Sequence, residues 1–169
     1  MVGLLLAVGL SAAAFLVPSG VAQASDTVAK PLRLFPSGKC AEVRFQDGLD
    51  TPGARIQLRT CNGRTEQQWF DVGISDTSPN LKYVNKWSGM CLQARDNSRE
   101  SGAIIDQGRC QPALPSQMWT KLYTAFGFYK LINIGSRLTL DVVGGSTSEF
   151  TLFTQQPDHG GCCQAWYPG

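Results

Sequence analysis

Gln67-Gln68-Trp69, Gln117-Met118-Trp119 and Gln164-Ala165-Trp166 are three copies of one short pattern, Gln-x-Trp. The first two glutamines are 50 residues apart and the last two 47. Even spacing in this range marks a repeat architecture. The flanks repeat as well. Ser37-Gly38-Lys39-Cys40-Ala41-Glu42-Val43 aligns with Ser88-Gly89-Met90-Cys91-Leu92-Gln93-Ala94, and more loosely with Gly135-Ser136-Arg137-Leu138-Thr139-Leu140-Asp141-Val142. Each unit therefore opens on a glycine turn, runs into a strand and ends at Gln-x-Trp. Three unrelated core tryptophans would not share such flanks.

Working outward, each unit divides into short apolar runs separated by turn residues. The first strands are Leu32–Leu34, Leu81–Val84 and Phe128–Ile132. The second are Cys40–Phe45, Cys91–Ala94 and Leu138–Val143. The third are Ile56–Leu58, Ile104–Ile105 and Thr151–Phe153, and Gln-x-Trp supplies the fourth. Helical periodicity is lacking, so the domain is all-β. The pattern resembles the ricin B-type lectins, a β-trefoil family defined by a threefold Gln-x-Trp repeat, over residues 29–169. It implies a β-trefoil of three pseudo-symmetric four-stranded repeats, at about 29–76, 77–122 and 123–169. Three units also fall short of the roughly four blades that a propeller needs. In a trefoil the tryptophans are core residues, and the glutamines satisfy backbone groups where strands turn.

Ahead of the repeats, Leu4–Val17 is nearly unbroken apolar sequence, followed by Ala22-Gln23-Ala24. This predicts a signal peptide at 1–24, cleaved before Ser25, although no basic residue precedes the apolar run. The domain is then 25–169, soluble and secreted, with no membrane span in the mature form. A net charge of +2 gives no reason to expect nucleic acid. The six cysteines of an exported chain suggest disulfides. Cys40 and Cys61 occupy places equivalent to Cys91 and Cys110, which pairs 40 with 61 and 91 with 110. Cys162 and Cys163 are left over and adjacent; a vicinal bridge ranks first for them, ahead of two thiols or a bond to another chain.

The resemblance also implies where sugar would bind, once per repeat. An acid stands two residues after the first cysteine, an aromatic plate about two before the second, and an Asn just before the Gln of Gln-x-Trp. Vicinal hydroxyls need such paired polar groups, and the apolar face of a pyranose packs on an aromatic ring. In the first unit these positions hold Glu42, Arg59 and Glu66, beside Gln67. In the second they hold Gln93, Gly108 and Ser116, which leaves no pocket. In the third they hold Asp141, Phe153 as the candidate plate (a core aromatic being its alternative) and Cys163, beside Gln164. Carbohydrate binding is thus expected chiefly from Asp141, Phe153 and Gln164, with Glu42, Glu66 and Gln67 as a weaker set, for galactose- or xylose-type sugars.

Enzymatic signatures are thin. His159 is the sole histidine and lies near Cys162 and Cys163, but oxidised cysteines make no nucleophile and their spacing suits no zinc cage. Asp47 and Asp50 read as loop residues. No catalytic residue, metal or cofactor is expected. The alternative function is a trefoil with decayed sugar sites that binds a protein, as toxin-delivery subunits do.

Overall fold

The computed structural model describes residues 28–75 and 77–167; the predicted signal peptide lies outside them. Runs of β-branched and aromatic residues broken by glycine turns favour strands over helices. Eleven strands and only short 3₁₀ turns form among the described residues. They are β1 (Lys30–Pro31), β2 (Cys40–Val43), β3 (Ile56–Arg59), β4 (Gln68–Gly73), β5 (Asn80–Asn85), β6 (Cys91–Ala94), β7 (Ile105–Gly108), β8 (Trp119–Tyr123), β9 (Tyr129–Asn133), β10 (Thr139–Val142) and β11 (Phe153–Gln156). Isolated bridges from Trp166 to Leu34 and Tyr129 close the third unit where a twelfth strand would lie. No helix among the described residues is long and apolar enough to cross a membrane.

The unit is a hairpin in one fixed register. In β2–β3, Cys40 faces Arg59, Glu42 faces Gln57 and Val43 faces Ile56. In β6–β7, Cys91 faces Gly108, Gln93 faces Asp106 and Ala94 faces Ile105. In β10–β11, Thr139 faces Gln156, Asp141 faces Thr154 and Val142 faces Phe153. The antiparallel pairs β4–β5 and β8–β9 join one unit to the next. Single bridges, Arg55 to Asp106, Gln57 to Leu152 and Ile104 to Thr154, tie the three hairpins to one another. The result is the expected β-trefoil.

Trp69, Trp119 and Trp166 are all buried. Trp69 Nε1 donates to Ala41 O and Trp119 Nε1 to Leu92 O, each at 3.1 Å, so two of the indoles bury without losing a polar partner. Around them pack Leu34, Val43, Ile56, Leu58, Leu92, Ile105, Leu131, Leu140 and Val142. The disulfides Cys40–Cys61 and Cys91–Cys110 form as the repeat requires, with Cα–Cα distances of 5.2 and 5.1 Å.

Two expectations are corrected. Cys162 and Cys163 are thiols, not a vicinal bridge; their sulfurs stand 3.1 Å apart within a 3₁₀ turn. Adjacent α-carbons are about 3.8 Å apart, under the range that disulfides ordinarily span, so a bridge here would be strained. The third-unit strand expected at 151–153 lies instead at Phe153–Gln156. Phe153, opposite Val142, faces inward: it is wholly buried, with its ring 5.5 Å from that of Trp166. Phe153 is therefore a core residue and not a sugar plate.

Candidate functional site

Each Gln of Gln-x-Trp does the same work in its unit. Gln67 Nε2 donates to Thr60 O and Glu42 Oε2, and Gln67 Oε1 accepts from Asn62 N. Gln117 Nε2 donates to Arg109 O and Gln93 Oε1, and Gln117 Oε1 accepts from Gln111 N. Gln164 Nε2 donates to Pro157 O and Asp141 Oδ2, and Gln164 Oε1 accepts from His159 N. A buried amide thus closes the loop after each hairpin and holds the side chain two residues past the first cysteine position. The glutamines are braces, as expected, and each brace aims its partner at the same place.

What happens at that place differs. In the first unit Glu42 is buried, held by Gln57 at 2.8 Å and Gln67 at 2.7 Å. Arg59 stands opposite Cys40, its Nε 3.7 Å from Glu42 Oε1 and 3.5 Å from Glu149. Its guanidinium lies 4.3 Å over the Phe150 ring. The chain's own cation fills the position where a sugar and its plate would meet. Glu66 does not join Glu42; it lines another groove, with Phe45, Arg64 and Trp87. In the second unit Gln93 folds over Gly108, where a β-carbon would come within 2.3 Å of its Oε1. Arg95 and Gln93 both bond Asp106, at 2.6 and 3.0 Å. Burial pushes the Asp106 carboxyl up, against the pull of those two hydrogen bonds. That unit is closed.

The third unit is open. Asp141, Val142, Gly144, Gly145, Gln156 and His159 line a cavity of about 340 Å³. Asp141 Oδ1 accepts from Val142 N at 2.6 Å, and its Oδ2 accepts from Gln164 Nε2 and from His159 Nε2, both at 2.8 Å. A carboxylate offers about four acceptor positions, so one is left over. His159 Nδ1 accepts from Gly161 N at 3.0 Å, which leaves the proton on Nε2 to donate to Asp141. A β-carbon at Gly161 would lie 2.6 Å from the His159 ring, so a larger residue there would displace the imidazole from this position. The imidazole is half exposed and forms one wall of the cavity.

A family model, the ricin-type beta-trefoil lectin domain, matches residues 31–166. The chain belongs to this family. Among solved structures the lectin domain resembles the designed threefold-symmetric protein ThreeFoil (28% identity, TM-score 0.76, covering 82% of this chain and 96% of that one). It also resembles an exo-β-1,3-galactanase from Clostridium thermocellum (31% identity, TM-score 0.77), covering 84% of this chain but only 30% of the galactanase. The Macrolepiota procera ricin B-like lectin, solved with lactose, shares the fold at 15% identity and a TM-score of 0.69, over 86% of this chain and 97% of that one. No curated protein matches.

Within this lectin domain the structure brings Asp141 and Gln164 together and adds His159, which sequence reasoning left aside. The missed signal was register. The residue opposite the first cysteine position is Arg59, Gly108 and Gln156 in turn. The third aligned residue is Gln156, and the nearby ring is His159, three residues on.

Proposed function

We propose that this lectin domain is a secreted, non-catalytic carbohydrate-binding module that works through the third unit. One observation carries the reading: Glu42 faces Arg59 and Gln93 folds over Gly108, whereas Asp141, itself buried, lines a cavity that the half-exposed His159 ring also walls. Asp141, held in place by Gln164, supplies the polar group to sugar hydroxyls, and the His159 imidazole supplies the wall on which a pyranose face packs. Galactose- and xylose-type sugars are the first to test, since the galactanase is 31% identical over the shared fold. One pocket with few contacts binds weakly, at about millimolar affinity. A glycan array followed by NMR titration with galactose, xylose and their oligomers tests the reading. Binding by the wild type that Asp141→Ala weakens about tenfold supports it; equal binding by both overturns it.

A second reading, a protein-binding trefoil, is favoured by a separate face. Leu122, Tyr123 and Phe126 are exposed there, beside an apolar cavity of about 580 Å³ lined by Phe35, Phe126 and Phe128. A blank array together with loss of partner binding in Phe126→Ser would favour this reading over the first.

A further inference from the structure

Cys162 and Cys163 stand in the wall between the two cavities. Cys162 is exposed and lines the apolar one, with Phe35, Phe126 and Phe128. Cys163 is buried, and its Sγ donates at 3.0 Å to Gly145 O, on the lip of the sugar cavity. The two sulfurs are 3.1 Å apart. The same turn carries Gly161, which holds His159, and Gln164, which holds Asp141. We propose that this dithiol is a thiol–disulfide exchange site whose reversible closure reshapes the third-unit cavity. Only its sugar readout rests on the function proposed above.

The co-reactant is a low-molecular-weight disulfide, RSSR. The Cys162 thiolate attacks one of its sulfurs; the RS–SR bond breaks, a Cys162–S–S–R bond forms, and RS⁻ leaves and takes up a proton. Cys163 then gives its proton to solvent and attacks Cys162 Sγ, and the second RS⁻ leaves and is protonated. Two cysteine thiols are oxidised by two electrons to one disulfide, and one RSSR is reduced to two RSH. The order follows from access, because only Cys162 meets solvent. Burial also pushes the Cys163 thiol up to about 12, so ring closure is the slower step and quickens as pH rises. The product is reversible because a bridge across α-carbons about 3.8 Å apart is strained and easily reduced.

Closure removes the S–H that Gly145 O accepts and draws in the turn that positions His159 and Gln164. His159 is the chain's one histidine, so its ring signals in a proton NMR spectrum report on the cavity without any sugar. The experiment treats the protein, with Cys40–Cys61 and Cys91–Cys110 intact, with oxidised glutathione and follows intact mass and the His159 signals. The expected result is a loss of two hydrogens with no glutathione retained, and displaced His159 signals. Mild reductant should restore both. Sugar affinity should fall about threefold to tenfold on closure, the effect of one lost hydrogen bond. Cys162→Ser should neither close nor show the displacement. Glutathione retained on Cys162 without ring closure overturns the proposal, as does closure with unmoved His159 signals. If those signals move but neither form binds sugar, the sugar reading fails and the exchange site stands.

Discussion

Replacing Asp141 by Asn changes one atom's chemistry and should be costly twice over. The carboxylate accepts from Val142 N through one oxygen and from Gln164 and His159 through the other. An Asn can accept on one side only. With its amide toward Gln164, two donors meet; with its amide toward Val142 N, the same happens there. Either orientation leaves a buried N–H unpaired, which costs about 1–3 kcal/mol. For a domain of this size each kcal/mol lowers the melting temperature by roughly 2–4 °C. Scanning calorimetry should therefore show Asp141→Asn melting roughly 4–8 °C below wild type. Below that transition the folded variant should bind sugar about tenfold more weakly, because a charge-assisted acceptor is gone. A melting temperature within about 1 °C of wild type would refute the donor count. Normal stability loss with unchanged sugar affinity would show Asp141 to be a brace alone.

Three further outcomes are expected. Phe153→Leu should lower stability by about 1–2 kcal/mol in denaturant titration, as a core truncation does, and leave sugar affinity unchanged; a selective loss of sugar binding would return the ring to the pocket. Arg59→Trp should uncover Glu42 and raise the sugar stoichiometry from one site to two in calorimetry; a stoichiometry of one would mean that Arg59 is not what closes the first unit. Asp47, whose carboxyl the Arg55 hydrogen bond holds well below the usual carboxylate range, stabilises the loop before β3. A depressed folded value makes that contribution full above about pH 4 and lost as pH falls through the folded value. Asp47→Asn should thus be less stable by about 1 kcal/mol at neutral pH, with the gap to wild type closing toward pH 2; a gap that widens in acid has the wrong sign.

The sequence was most legible where repetition constrained it. The positions of Cys40, Cys61, Cys91 and Cys110 within two aligned units determine their pairing, and the structure holds both bonds. Each Gln-x-Trp couples a buried indole to a brace that only a side-chain amide can supply, since it must donate and accept at once. The third hairpin was less legible because its cysteines are missing: Thr139 stands where the others have Cys40 and Cys91, so nothing in the sequence pinned the return strand. That left Phe153 eligible as a plate, although its pairing opposite Val142 sends it to the core. His159 was passed over for a related reason. Its ring is placed by Gly161 and Asp141, one in the next turn and one in β10, and no local spacing connects them.

The three hairpins share a register, a brace and a buried indole, so the difference between an open and a closed pocket lies in two or three side chains. Arg59 carries a cation over Glu42, and its stacking on Phe150 and its approach to Glu149 keep it there. Gln93 needs the bare face of Gly108 to fold down, and Arg95 then covers Asp106. In the third unit, opposite Thr139, stands Gln156, whose Oε1 is turned aside to accept from Ser101 in the neighbouring unit. Asp141 is itself buried, held by Gln164 and His159, and the half-exposed His159 ring forms a wall of the cavity. The first two units engage Glu42 and Gln93 with their own side chains. The third has left an acceptor position on Asp141 and a half-exposed imidazole facing a cavity. That is the condition a small polar ligand requires, and it is why the proposed sugar site is placed in the third unit rather than in the pseudo-symmetric set.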